Sequence, residues 1–332
     1  MPRHFLPFPR KRCLLTKACL FAEYISVERR QFLRSSLYAA LGLSLAPLGS
    51  LLGRDLKTGL WEADDTPQSI LKRKIPVSGE EISALGLGTR TAFDALWQRY
   101  EELSFVLDVF HREGGMVLDT SPTFGEAETA LGHLTAHTDY FTVTKLAEGD
   151  IPSESFKRSL SRLRRKRLSC LLIEGTRNVL PYLKTIRELK EEQKIKYWGI
   201  LETNVRYFSH LRQAMIEYRP DIVEISYNVA EREAEKEIFP TAQEYGIGLL
   251  VCRPFAGGHL LFPSRSKNEF LKDFDCQSRA QALIKFVLSF DVVSCVLVGT
   301  GNPSHMKENL QAARGFLPSR KERENLAHWL LL

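Results

Sequence analysis

Eight short apolar runs, separated by amphipathic stretches, constrain the fold of this chain more than any other feature. Runs of about five residues that alternate with segments of helical spacing are typical of βα units. Near-continuous apolar strands indicate burial on both faces, and eight units in about 240 residues favour a closed (β/α)8 TIM barrel. The predicted strands are Ser83–Gly88, Met116–Leu118, Tyr140–Val143, Ser169–Ile173, Lys196–Leu201, Ile222–Ser226, Ile247–Cys252 and Ser294–Val298.

A short N-terminal β-hairpin is predicted at the start of the barrel, leading into its first strand. The extended segments Arg73–Val77 and Glu81–Leu85 flank a turn at Ser78 and Gly79, and a Ser-Gly pair between two such segments is typical of a hairpin. A doubly wound open sheet is the alternative to the barrel. It is the weaker interpretation, because no Gly-x-Gly-x-x-Gly turn follows the first strand to hold a pyrophosphate.

Charge divides the chain into a basic leader and a nearly neutral remainder. Residues 1–54 carry nine Lys or Arg and two Glu, a net charge of +7, so the remainder of a chain with net charge +6 sums to −1. The predicted organisation is a leader over 1–54, a linker over 55–71 and the barrel over 72–332. Because the barrel has no excess positive charge, nucleic-acid binding is not expected. The sequence contains no uninterrupted apolar stretch of 18 residues, so no stable membrane span is predicted.

The leader resembles a bacterial export signal. Arg29 and Arg30 precede Phe32, Leu33 and Arg34, and an apolar segment diluted with Gly, Ser and Pro follows. This order resembles the twin-arginine signal, which implies the twin-arginine export machinery as a partner and a periplasmic location. No clean Ala-x-Ala cleavage site follows, so an uncleaved signal would remain as an anchor. An amphipathic helix or a pro-segment is the alternative interpretation.

The cysteines and histidines predict no metal or redox centre. Cys170, Cys252 and Cys295 lie inside predicted strands, where a free thiol behaves as a small apolar side chain. No Cys-x-x-Cys pair occurs, as a zinc knuckle or a thioredoxin-like centre would require. His133 and His137 are four residues apart on a predicted helix, but no third ligand lies nearby in the sequence.

Three charged residues stand at the ends of neighbouring predicted strands. Asp119 closes the second strand, Lys145 follows the third and Glu174 follows the fourth. Chemistry in such barrels gathers at the carboxyl ends of the strands, so these groups are expected to converge. An ammonium between two carboxylates keeps its charge in a partly buried pocket. A structural ion cluster at the barrel rim is the alternative.

The segment Asp119–Gly132, which reads DTSPTFGEAETALG, resembles the signature of the aldo-keto reductase family. Further segments match that family in the same order, and they are Ile82–Thr89, Thr144–Lys145, Arg232–Glu235, Arg253–Phe255 and Gly299–Asn309. The motifs at 232–235 and 253–255 resemble its exported bacterial branch. The resemblance covers residues 72 to about 330. It implies a barrel that passes a hydride from a nicotinamide cofactor to the carbonyl carbon of a small-molecule substrate.

The resemblance also implies a catalytic group of four residues, of which two are changed. Asp119 and Lys145 match the family's aspartate and lysine. Phe124 replaces the tyrosine that protonates the substrate oxygen, and Glu174 replaces the histidine that orients it. A positioned general acid contributes about 10²–10⁴ in rate. Glu174 is expected to serve as the acid or to orient the substrate, since a carboxyl group in a dry pocket can stay protonated near neutral pH. A plain ion pair with Lys145 is the alternative.

A site for NADP or NAD is implied in the same way. Its residues are Gly88, Thr89, Leu201, Glu202, Glu224, Arg253, Gly257, Gly299, Thr300, His305, Glu308 and Asn309. Leu201 and Glu202 replace the polar pair that holds the nicotinamide carboxamide, and Glu224 replaces a glutamine. His305 replaces the cation that grips a 2′-phosphate. Because each lost neutral hydrogen bond costs about 0.5–1.5 kcal/mol, cofactor affinity is expected to be weaker by about one to three powers of ten.

Two functions are consistent with these changes. The leading hypothesis is an exported NAD(P)H-dependent oxidoreductase that reduces a carbonyl or an activated double bond. The alternative is a catalytically inactive barrel that binds a ligand or a partner, because a fold does not determine a function. Trp198 is expected close to the site, and Tyr227 is a candidate to line the pocket.

Overall fold

The computed structural model describes residues 69–177, 179–262 and 268–332. The predicted leader and the predicted linker up to residue 68 lie outside these ranges, so the export signal stays a prediction. Within the described ranges, no helix has both the length and the hydropathy needed to cross a bilayer.

The strands of the described residues form a two-stranded antiparallel hairpin and an eight-stranded closed barrel. Their bounds are β1 Lys72–Lys74, β2 Glu81–Ser83, β3 Leu85–Gly88, β4 Val117–Asp119, β5 Phe141–Leu146, β6 Leu168–Glu174, β7 Ile195–Glu202, β8 Ile222–Ser226, β9 Gly248–Cys252 and β10 Val293–Val298. Every predicted barrel strand overlaps an observed one.

The barrel is closed by parallel pairing between its first and last strands. Val296 of β10 lies opposite Leu85 of β3, and each of the other barrel strands pairs with the next one along the chain. An open sheet would leave β3 and β10 as unpaired edges. The predicted (β/α)8 barrel is therefore confirmed, and the doubly wound alternative is excluded.

Amphipathic helices cover the outside of the barrel. Their bounds are α1 Tyr100–Arg112, α2 Ala127–Leu134, α3 Pro152–Leu163, α4 Leu180–Glu191, α5 Phe208–Tyr218, α6 Ile238–Tyr245, α7 Arg279–Leu288, α8 Pro303–Gln311 and α9 Arg320–Leu331. In α1 the side chains of Leu103, Val106, Leu107 and Phe110 are buried. Spacings of three and four residues place them on one helix face, which packs on the barrel.

Strand alternation separates the core into the barrel interior and the layer between strands and helices. On β7, Tyr197 and Leu201 belong to the interior cluster, whereas Trp198 and Ile200 belong to the outer layer. Successive side chains of a strand point to opposite faces. Trp198 therefore faces the helices and not the barrel interior, contrary to the expectation that it lies close to the site.

The hairpin closes the amino end of the barrel, and its presence confirms the predicted one. Arg73 of β1 lies opposite Ile82 of β2, and Ile82 packs into the interior cluster. The hydroxyl of Tyr197 lies 2.6 Å from Ser78 Oγ and donates a hydrogen bond to Glu80. With this end filled, the open end of the barrel, here called the barrel mouth, lies at the carboxyl ends of the strands.

The residues that follow β8 anchor the C-terminal helix. Arg232 donates to Glu235 at 2.5 and 2.9 Å and to Glu324 of α9 at 2.7 and 2.8 Å. Tyr227 is fully buried and donates its hydroxyl to Glu235 at 2.6 Å. Its ring stacks on Phe286, 6.1 Å away. Tyr227 is therefore part of this anchor and not a residue of an open pocket.

Replacing Arg232 with glutamine is expected to lower the free energy of unfolding by about 2 kcal/mol, because hydrogen bonds to charged groups contribute about 1.5–3 kcal/mol and partial exposure of Arg232 reduces that value. Urea denaturation measures the change. Arg212→Gln, at an exposed position of α5, is the control and should stay within about 0.5 kcal/mol of the parent protein. Equal effects of the two substitutions would contradict the anchoring role.

Candidate active site

A buried lysine with two carboxylates occupies the carboxyl half of the barrel interior. Lys145 of β5 is fully buried and forms ion pairs with Asp119 of β4 and with Glu224 of β8, the second at 3.1 Å. The sequence predicts a lysine between two carboxylates here. The second carboxylate is Glu224, however, and not Glu174, which forms no ion pair with Lys145 among the residues described.

The close packing of these charged groups shifts the pKa of Asp119 and that of Lys145. Burial and the nearby Glu224 raise the pKa of Asp119 to about 8, although Lys145 opposes the shift. Burial alone would lower the pKa of Lys145, but the two carboxylates outweigh it and the pKa is raised. The Lys145 ammonium is therefore held between two buried carboxyl groups, which makes its charge less costly to bury than that of an unpaired lysine.

Glu174 lies at the end of β6 with its side chain half-buried. Burial raises its pKa, and the positive charges of Lys145 and Arg90 oppose that shift. Its Oε2 atom is buried and has no hydrogen-bond partner within the described ranges. A buried carboxyl oxygen without a partner is unfavourable unless it is protonated or bound by a ligand. Glu174 is thus placed to hold a proton beside the lysine.

Phe124, in the loop after β4, lies close to two cations. Its ring centroid is 5.8 Å from Lys145 Nζ and 5.8 Å from the guanidinium carbon of Arg90. The backbone N–H of Glu126 donates to Asp94 at 3.0 Å and ties the Phe124 loop to the loop after β3. The aromatic ring thus lies close to the ammonium, as the motif predicts, but it carries no hydroxyl to donate a proton.

The residues at the predicted carboxamide position are poor ligands for a nicotinamide. Leu201 packs in the barrel interior. The Glu202 carboxylate accepts hydrogen bonds from the Thr176 hydroxyl at 3.1 Å and from the Asn204 N–H at 2.9 Å. Glu224 is paired with Lys145. The polar groups at this end are therefore already bonded within the protein.

The phosphate end of the predicted cofactor site is better suited to its ligand. Gly257 and Gly258 follow β9 with φ of 69° and 98°, and a Cβ on either would meet open space. Arg253 is exposed in the same loop. The N–H of Gly258 donates to the carbonyl oxygen of Phe255 at 2.9 Å, but the absence of a Cβ at both positions allows a pyrophosphate to approach closely, and Arg253 supplies a cation. This end fits a dinucleotide, and its nicotinamide would bind with fewer hydrogen bonds than in a site with free amide ligands.

The start of α8 supplies the other part of this phosphate end. Gly299 and Thr300 follow β10, and Asn302 caps α8 by accepting a hydrogen bond from Ser304 N–H at 2.9 Å. Helix N-termini favour anions. His305 is exposed on the first turn, whereas Glu308 is half-buried and Asn309 is buried.

Gly88 and Thr89 lie at the carboxyl end of β3, where Gly88 is opposite Asp119 of β4. The Thr89 hydroxyl donates to the carbonyl oxygen of Asp119 at 2.9 Å, and Thr89 is fully buried. Thr89 therefore positions Asp119 instead of offering a free group to a cofactor. Arg90, the next residue, is exposed beside Phe124 and is absent from the residues predicted for the site. Its signal in the sequence is a basic residue directly after the end of the first barrel strand.

Comparison with known proteins agrees with this architecture. An aldo-keto reductase from Bacillus halodurans, solved in its holo form, matches with a TM-score of 0.66 and 21% identity, over 78% of this chain and 96% of its own. An aldo/keto reductase from Klebsiella pneumoniae, solved with NADP and acetate, matches with a TM-score of 0.69 and 19% identity, over 78% and 95%. The profile of the aldo/keto reductase family matches residues 84–322, and the chain belongs to that family.

Proposed function

We propose that this protein is a nicotinamide-dependent oxidoreductase that reduces a carbonyl or an activated double bond. The observation that carries the proposal is the buried Lys145, held by Asp119 and Glu224, next to a half-buried carboxyl group with a raised pKa, that of Glu174. Perturbed titratable groups that converge at the mouth of a barrel are typical of active sites. The NADP complex of the Klebsiella relative supports the choice of cofactor.

Each residue has a defined part in this reaction. When bound, the reduced nicotinamide supplies a hydride to the carbonyl carbon. Glu174 donates its proton to the carbonyl oxygen as the alcohol forms, and it regains a proton from water. Lys145 keeps a positive potential next to the developing oxyanion. Asp119 and Glu224 keep that ammonium in place and charged.

Binding of the reduced cofactor is the first test. Calorimetric titration of the protein with NADPH and with NADH should give a dissociation constant in the micromolar range for at least one of them. Because His305 is exposed and a neutral histidine binds phosphate poorly, we expect little discrimination between the two cofactors. No binding of either cofactor at millimolar concentration would rule out the proposed chemistry.

A catalytically inactive barrel that binds a ligand or partner is the alternative. Phe124 favours it, because the ring near Lys145 cannot donate a proton. The internal hydrogen bonds of Glu202 favour it as well. From the twin-arginine motif we further propose that the protein, whether an oxidoreductase or a binding protein, acts after export.

Replacing Phe124 with tyrosine distinguishes the two proposals. In the enzyme, a phenol close to the Lys145 ammonium would have a lowered pKa and act as a second acid. We expect kcat/KM for an aldehyde to rise about tenfold, less than the full ~10²–10⁴ effect of a general acid because Glu174 already acts. Phe124→Leu is the control for the loss of the ring. No gain, with cofactor affinity unchanged, would favour the inactive barrel.

A further inference from the structure

Arg90 brings a guanidinium group to the barrel mouth. It follows Thr89 directly after β3, and its guanidinium carbon is 5.8 Å from the centroid of the Phe124 ring. Lys145 Nζ lies at the same distance from that ring. A cation over an aromatic ring is attracted by the electrons of its face. Phe124 therefore supports Arg90 beside the proposed reaction centre.

The charge of Arg90 contributes little to the stability of the fold. Arg90 is exposed, and none of the carboxylates in the described part of the chain forms an ion pair with it. Arg99, on the same loop, pairs with Glu102 at 3.3 Å. Glu174 is close enough for Arg90 to lower its pKa, yet the two side chains do not pair.

Arg90 and Glu174, which form no ion pair within the described ranges, determine what kind of ligand the barrel mouth can bind. A guanidinium binds a carboxylate through two parallel N–H···O bonds. The carboxyl group of Glu174, in its protonated form, can donate a hydrogen bond to a carbonyl oxygen. Lys145 is already paired with Glu224 at 3.1 Å, so the anion would bind to the single guanidinium of Arg90, which matches a singly charged carboxylate.

We propose that Arg90 binds the carboxylate of the substrate, so that the protein acts on aldehydes or ketones that also bear a carboxylate group. The carbonyl part of this inference rests on the proposed function. The anion-binding part rests only on the position of Arg90 beside Phe124 and on its lack of a carboxylate partner in the described ranges.

The test uses a matched pair of carbonyl compounds with the full-length protein. The initial rate of NADPH-dependent reduction is measured for 4-carboxybenzaldehyde and for its methyl ester, which keeps the aldehyde but has no negative charge. The parent protein should prefer the acid at least tenfold in kcat/KM. Arg90→Met should lose that preference without a matching change for the ester, and Arg99→Met should keep it. Equal rates on acid and ester in the parent protein would overturn the proposal.

A binding measurement separates this inference from the proposed reaction. Calorimetric titration with benzoate needs no turnover, and Arg90→Met should weaken benzoate binding at least tenfold while the melting temperature stays unchanged. Loss of binding in Arg90→Met without any turnover of either aldehyde would refute the reaction but support the anion site. Benzoate binding that is absent, or that does not depend on Arg90, would refute the anion site whatever the enzyme reduces.

Discussion

Replacing Lys145 with methionine is expected to lower the free energy of unfolding by about 3–5 kcal/mol, the usual cost of removing one partner of a buried ion pair. The side chain is fully buried, and it is the cation paired with both Asp119 and Glu224. Methionine fills a similar volume but leaves two carboxyl groups facing each other. Urea denaturation with an unchanged m-value would identify the loss as one of stability.

Lys285 provides a matched control for this substitution. It is also buried, but it donates mainly to the backbone carbonyls of Phe274 and Asp275. Lys285→Met leaves neutral acceptors behind and is expected to cost about 1–3 kcal/mol. Adding Glu224→Gln to Lys145→Met should restore part of the stability, because it removes the stranded charge. If the double variant is no more stable than Lys145→Met, charge is not the cause.

The fold was predictable because its signal is repeated. Each predicted strand is an apolar run, and burial on both faces of a parallel strand requires such a run. Segment ends were less predictable: the prediction ends the third strand at Val143, whereas β5 continues to Leu146 and includes Lys145. Lys145 interrupts the apolar pattern of this strand, and its burial is possible because it is paired with two carboxylates.

The site was predictable only in part, because contacts across a barrel depend on strand stagger. Asp119 and Lys145 stand at strand ends, where charge is conspicuous in the sequence. Glu224 lies in the middle of β8, with Leu201 of β7 beside it, and the tilt of the strands brings it to Lys145 from a non-adjacent strand. The sequence predicted Glu174 as the partner of Lys145 instead, because Glu174 ends the strand next to that of Lys145. Glu174 is left without an ion pair to Lys145, and this leaves it available to hold a proton.

Replacing Glu174 with glutamine is expected to lower kcat/KM for an aldehyde about 10²-fold at a pH below the pKa of Glu174, at the low end of the range for a general acid. Burial raises the pKa of Glu174, so the protonated, active form predominates below that raised pKa. The rate of the parent protein should therefore fall as pH rises through it, by about tenfold per pH unit once above it. Glutamine cannot donate this proton, so the variant should be slow and lack this pH dependence.

The control for this experiment is Glu148→Gln. Glu148 is a nearby carboxylate that contributes to the raised pKa of Glu174, but it is exposed and pairs with Arg177 at 3.3 Å. Removing its charge should shift the pH profile slightly to lower pH and leave the maximal rate unchanged. A pH profile of Glu174→Gln that follows the parent protein would place the proton donor elsewhere. The buried Oε2 of Glu174 would then serve to bind a ligand, which is the role that the inactive barrel requires.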